Sequence, residues 1–275
     1  SLMQLSGSVA FRDGLTPRPV TSTFDFSGSL AMSEGGATFR NFVLTESSVD
    51  LATVTAQVPA VALPGRMRLV GRLDGPFQDV TFQGTAEHES PEGALSRMIG
   101  TVRLDTRRDP LALEMDARFD RLSFDGLRSG YPALTPRGGV SGRVIASGPL
   151  DSLAIDADLT GDIGDVVARG VIGATAPRYR FENLLLDVRR LDVDAVIGRG
   201  GNTAINGLMV INGVIDSGVA PVGNVRLDLG QSRIEGITLA GVSGDISSDG
   251  RLMTFDSLRA DWASGSVRAE GTLGW

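Results

Sequence analysis

One histidine, no cysteine and 33 carboxylates set the limits of the chemistry open to this 275-residue chain. A histidine can serve as a general base or a metal ligand. His88 stands alone, so no two-histidine metal cluster and no Ser-His-Asp or Cys-His set can be assembled around it. Flanked by Glu87 and Glu89, it reads as a turn residue in water. Asp156, Asp158, Asp162 and Asp165 have the donor type for calcium, but the first two fall on one face of a strand and the regular carboxylate spacing of an EF-hand is missing. The run Gly198 to Gly201 (GRGG) lacks the following helix and the Lys-Ser/Thr of a phosphate loop, and reads as a turn. No catalytic residue, metal site or cofactor is expected, and the chain is not read as an enzyme. The formal charge of -7, with arginines scattered singly through strand-like segments, also argues against nucleic acid as a partner.

What remains is apolar surface, and its placement follows from the elements that carry it. The stretch Tyr131 to Gly161 reads as a strand, a Gly148-Pro149 corner and a second strand. Val140, Gly142, Val144 and Ala146 share one side of the first arm. In the second arm Leu153, Ile155, Ala157 and Leu159 alternate with Ala154, Asp156, Asp158 and Thr160. A period of two gives each strand one dry and one wet face. The same grammar recurs upstream in Val58 to Gly84: Pro59 to Pro132 and Pro76 to Pro149 are each 73 residues, and Pro64 to Pro136 is 72. A looser copy around Pro221 lies 72 residues after Pro149. FSGSLAMSEGGATFRNFVL from Phe26 resembles VSGDISSDGRLMTFDSLRA from Val242, with Thr38 and Thr254 separated by 216, three times 72. The expected organisation is one continuous array over 1-275, with approximate units 1-58, 59-131, 132-204 and 205-275, none able to bury its apolar face alone.

Taken along the chain, the alternation predicts about 20 strands and no long amphipathic helix. Leu111 to Phe119 against Ala112 to Asp120 is the cleanest two-faced strand, and Met67 to Leu73 alternates with Arg66, Arg68 and Arg72. Val49 to Val58, Leu191 to Ile197 and Ile234 to Leu239 are read as strands, and Pro91 to Ile99 as the start of one rather than a short helix. The fold class is therefore all-β, an elongated folded-over antiparallel sheet. Its trough is lined by Phe82, Leu113, Met115, Val144, Leu153, Ile155, Leu159, Leu191, Val193, Ile205, Met209 and Ile211, with small residues such as Gly142, Ala146, Ala157 and Gly207 leaving space along it. A dry core filled by its own side chains, as in a structural or adhesive β-solenoid, satisfies the same periodicity. No run approaches 18 apolar residues, so no helical membrane span is expected. Ser1 has no preceding methionine, strand-like sequence begins at Leu5 and Val267 to Leu273 stops without a polar tail, so the chain reads as a piece of a longer protein whose open sheet edges can associate.

The segment PALTPRGGVSG, the corner SGPLDSLAIDADLTG and the ending GDISSDGRLMTFDSLRADWASGSVRAEGTLG resemble the repeats of AsmA-like and TamB-like envelope proteins of diderm bacteria, relatives of the bridge-like lipid transfer proteins with a repeating β-groove. The resemblance covers nearly the whole chain, best over 58 to 161 and 205 to 274. It implies a periplasmic, taco-shaped sheet whose apolar groove carries phospholipid acyl chains between inner and outer membranes or assists outer-membrane protein assembly. It also implies membrane-anchored and outer-membrane envelope partners engaged through regions not present here. Two parts of the family pattern, the inner-membrane anchor helix and the C-terminal end that docks an outer-membrane partner, are not visible.

Overall fold

The computed structural model describes residues 2-14, 19-34, 36-57, 63-131, 134-175, 177-198, 202-216 and 219-274. They form an all-β protein of eighteen strands with three short helices, in open antiparallel sheet not closed into a barrel. The chain divides into two compact units. The first, 1-134 with 139-143, holds β1 (Leu2–Asp13), β2 (Val20–Ser33), β3 (Gly36–Asp50), α1 (Leu51–Gln57), β4 (Arg66–Pro76), β5 (Asp79–Glu89), β6 (Leu95–Asp105), β7 (Ala112–Ser123), α2 (Phe124–Arg128) and the start of β8 (Gly139–Pro149). The second, 135-138 with 144-275, holds the rest of β8, then β9 (Leu153–Gly161), β10 (Gly164–Thr175), β11 (Arg178–Leu191), α3 (Val193–Ile197), β12 (Thr203–Asp216), β13 (Val222–Leu229), β14 (Ser232–Ile234), β15 (Ile237–Leu239), β16 (Gly241–Asp249), β17 (Leu252–Trp262) and β18 (Gly265–Gly274).

Within each unit, neighbouring strands pair antiparallel with the inner faces in register, β13 pairing with β16 while the β14–β15 hairpin pairs with the start of β12. In the first, Leu73, Phe82, Val102 and Met115 stand opposite one another across β4 to β7, as do Leu69, Ala86, Met98 and Phe119. Between these rows runs a third, Leu44, Gly71, Gly84, Gly100 and Ala117. A Cβ on Gly84 would lie 2.6 Å from the Gly71 Cα, and one on Gly100 2.6 Å from the Ala117 Cα. Neighbouring backbones occupy the place of a side chain, so only glycine admits this approach. Gly207 is of the same kind: with φ of 134°, its Cβ would fall 2.5 Å from the Leu229 Cα. The expected vacant space at the small residues is therefore taken up, by strand backbone at Gly207 and by close packing at Ala146 and Ala157, which are 3% and 6% exposed.

Three segments depart from strand. The stretches read as strands over Val49 to Val58 and Leu191 to Ile197 contain α1 and α3, of which residue 58 lies outside the described residues. Ile234 to Leu239 belongs to a small hairpin, β14 and β15, turned at Glu235-Gly236. Over Pro91 to Ile99 the strand is present, from Leu95.

The same two-part anchor starts all three helices. A buried hydroxyl on a flanking strand accepts the N–H of the incoming chain: Ser22 Oγ from Asp50 at 3.0 Å, Ser96 Oγ from Ser123 at 2.9 Å, Thr203 Oγ1 from Val193 at 2.7 Å. A capping side chain then accepts from the first turn: Asp50 Oδ1 from Ala52, Ser123 Oγ from Gly126, Asp192 Oδ1 from Asp194 and Ala195. At the far end of α3, Gly198 takes the left-handed conformation, φ 69°, that closes a helix. The helices begin at 51, 124 and 193, intervals of 73 and 69 residues.

Two sets of substitutions check this account by denaturant unfolding. Ser96→Ala, orphaning a buried N–H, and Thr203→Val, orphaning a half-buried one, are expected to cost about 1–3 kcal/mol. Gly84→Ala is expected to cost about 2 kcal/mol or more through overpacking, whereas Gly7→Ala on β1, where nothing lies within 4 Å of the added carbon, stays within about 0.5 kcal/mol of the wild type.

Candidate functional site

The surface available for function is the apolar inner face of each unit. In the first, Phe82 is buried in a cluster with Phe42, Leu44 and Ala86. Met115 faces Val102, and Leu113 faces Leu104, on the same side as Phe82. Phe26 stacks on Phe42 with ring centroids 5.1 Å apart, and Phe39 meets Phe42 edge-on at 5.2 Å. In the second unit Leu153, Ile155 and Leu159 oppose Ile172, Gly170 and Val166. Met209 and Ile211 oppose Leu186 and Leu184, and Ile205 faces Leu191 beyond a bulge. Val144, Ile155, Leu159 and Ile211 pack against Ala157, Ala168 and Leu184. The sealed clusters are small; Leu113, Met115, Val144, Ile155, Leu159, Leu191, Met209 and Ile211 are each only half-buried.

Val193 is the exception among the residues assigned to the lining. It opens α3 instead of pointing from a strand, because the Asp192 carboxylate captures the N–H groups of Asp194 and Ala195 and draws the chain into a helical turn. The alternation Leu191-Asp192-Val193-Asp194-Ala195 imitates a two-faced strand. The aspartate before an apolar run and the glycine six residues later were the signals that could have found the helix.

The outer face is a lattice of cross-strand ion pairs. Arg68 meets Glu87 at 3.4 Å and Glu89 at 3.7 Å; Arg143 meets Asp116 at 2.7 Å, and Arg226 meets Asp245 at 2.9 Å. Two of the four carboxylates weighed for calcium belong to it, Asp156 pairing with Arg169 and Asp165 with Arg190. Among the described residues no group of three or more potential ligands converges on a metal position. Such exposed pairs add little stability each, about 0–1 kcal/mol, but they keep the outer face wet. Of the glycine run at 198, residues 199-201 lie outside the described residues.

His88 is not a solvated turn residue. It lies within β5, 5% exposed on the inner face, between Met67 and Ser96 on the adjoining strands. Strand parity puts Glu87 and Glu89 outside, against Arg68, and turns the imidazole in. Its Nε2 is 2.9 Å from the Pro64 carbonyl oxygen and donates to it, while Nδ1 is buried without a partner. The ring ties the segment after α1 to the sheet.

At the opposite ends of these strands Asp79 and Asp105 gather Arg103, Arg107 and Arg108. The Arg107 hydrogen bonds and charge pull the Asp105 carboxyl down to about 2, against the opposing effect of its burial, and Arg103 lowers Asp79 in the same way.

Comparison with protein families, with curated proteins and with solved structures found no match to this chain.

Two outcomes test this geometry. His88→Ala is expected to lose about 1–3 kcal/mol in urea unfolding, and His88→Gln, which keeps a donor, to recover part of it. Because the fold favours ionised Asp105, the stability this group contributes is present above pH 3.8 and is lost as pH falls through about 2. Carboxylate NMR titration should show the Asp105 midpoint moving up toward 3.8 in Arg107→Gln.

Proposed function

We propose that this chain is a lipid-binding, lipid-conducting segment of the bacterial envelope, holding phospholipid acyl chains against its inner face on their way between inner and outer membranes in the service of outer-membrane biogenesis. The observation that carries the reading is a strand-after-strand apolar face left half-exposed, backed by an outer face of paired charges. Burying a methylene is worth about 0.8 kcal/mol, so an acyl chain laid along such a face relieves water contact on both surfaces. The resemblance of the Gly-Pro corner segments to AsmA-like and TamB-like repeats supports the same reading and, with it, a periplasmic location and membrane-anchored and outer-membrane partners. On this reading the protein works by solvation alone, without catalytic residues or a cofactor.

A second reading, a structural or adhesive β-solenoid with a dry core, is favoured by the stack of half-buried Phe26 and Phe39 on buried Phe42, which fills part of the first unit with its own rings. Lipid extraction and mass spectrometry of protein purified from membrane-containing lysate separates the two. The wild type is expected to carry phospholipid. Ile155→Arg and Ile211→Arg, on the inner face, should lose it, while Ala154→Arg and the 42%-exposed Leu208→Arg, on the outer face, should retain it. Circular dichroism identifies the folded variants, since an unpartnered arginine indoors also costs stability. Absence of lipid from the wild type, or equal lipid in folded inward and outward variants, selects the solenoid.

A further inference from the structure

The aromatic stack of the first unit stands across the rows that its inner face lays out from strand to strand. Phe39 faces Leu30 and Gly75 on the adjoining strands. Phe42 faces Leu73, in the row that continues through Phe82 and Val102 to Met115. Phe26 faces Leu44, in the glycine row. The three rings thus occupy three successive rows. The 5.1 Å stacking of Phe26 on Phe42 and the 5.2 Å edge contact of Phe39 join them into a ridge that runs along the strands. Beside the ridge the face is filled: Leu44 is 2%, Phe42 8% and Phe82 9% exposed, in one cluster with Ala86. On β6 and β7, farther along the same face, Val102, Leu104, Leu113 and Met115 are all half-buried.

We infer that this ridge is an end stop, and that Phe26, Phe39 and Phe42 decide how far an acyl chain reaches into the first unit. The stop rests on the lipid-bearing face proposed above and marks where the chain on that face ends. A chain lying over β6 and β7 follows the rows toward β3, and each methylene that leaves water strengthens its hold about fourfold. At the ridge that gain ends. The rings already have one another as neighbours, so a chain that displaced them would give up about as much packing as it made. Phenylalanine suits the task, since each ring blocks a wide path with only two side-chain torsions to hold still.

Photo-crosslinking of the full 275-residue chain maps the stop. The probe is phosphatidylethanolamine with a diazirine at the end of one acyl chain, carried in vesicles of phosphatidylethanolamine and phosphatidylglycerol, and labelled residues are located by peptide mass spectrometry. In the wild type the label is expected on Val102, Leu113 and Met115, and not on Leu30 or Leu44, which lie at and behind the ridge. Phe39→Ala, which removes a half-buried ring, and Phe26→Leu, which keeps an apolar side chain, should each raise the label on Leu30 and Leu44 at least about fourfold, the change that one further buried methylene makes. Phe119→Leu, an aromatic position on β7 outside the ridge, should leave the boundary where it is. Label on Leu30 and Leu44 of the wild type equal to that on Met115 overturns the stop and leaves the lipid reading standing. So does an unchanged boundary in Phe39→Ala and Phe26→Leu variants with wild-type circular dichroism. A wild type labelled nowhere on the inner face of either unit overturns both.

Discussion

The closest approach of one strand to the next governs much of what else this chain can do. Where Gly71, Gly84 and Gly100 align, the ladder closes until backbone fills the space of side chains. That row separates two bands of the inner face in the first unit, one carrying Leu73, Phe82, Val102 and Met115, the other Leu69, Ala86, Met98 and Phe119. The second unit repeats the approach at Gly213 on Gly223 and at Gly207 on Leu229. A side chain at any of these positions would force the strands apart and break hydrogen bonds across several strands. Gly71, Gly84 and Gly100 in the first unit, and Gly207, Gly213 and Gly223 in the second, are therefore the means by which large apolar residues on successive strands are held at a common height.

The two faces then answer to different forces. Outside, arginines and carboxylates alternate across strands, which fixes which face meets water more than it adds stability. Inside, the bands are apolar but thinly covered, and the polar groups that do occur there are concentrated where strands give way to helices. Ser22, Ser96 and Thr203 are buried because each completes a backbone hydrogen bond; His88 is buried because it holds the Pro64 carbonyl. These four groups are tied to backbone, whereas Ser48 Oγ, Thr53 Oγ1 and His88 Nδ1 are buried without a hydrogen-bond partner.

Much of the strand pattern could be read directly, since a period of two survives wherever charged and apolar residues alternate cleanly, as from Met67 to Leu73 and from Leu111 to Phe119. The lining positions on β5, β7, β8, β9 and β12 stand on the faces the alternation assigns. It failed where local chemistry overrode it. Val54 with Thr53 and Thr55 gives α1 a β-branched composition, and Asp192 to Ala195 copies a strand while forming a capped turn. Asp50, Ser123 and Asp192 were legible as caps, and their near-regular spacing would have placed the helices. His88 was misjudged from its neighbours, though its parity with Phe82, Gly84 and Ala86 already set it inside. The glycine contacts were out of reach, because a close approach between strands depends on residues tens of positions away.

Strand alternation sends successive connections to opposite ends of each ladder, and the two ends are built differently. Connections at one end are short turns, such as Phe77-Gln78, Leu150 to Ser152 and Gly250-Arg251. The other end carries α1, α2, α3 and the β14–β15 hairpin. Among the described residues the three helices and the hairpin hang from that end, where hydroxyl anchors and caps hold the helices. Foreign peptide grafted at Glu235-Gly236 would lengthen an existing excursion, while the same graft at Gly250-Arg251 would sit directly between β16 and β17. The chain thus has a conservative margin and a permissive one, and new surface can accumulate on the latter while the ladder itself stays unchanged.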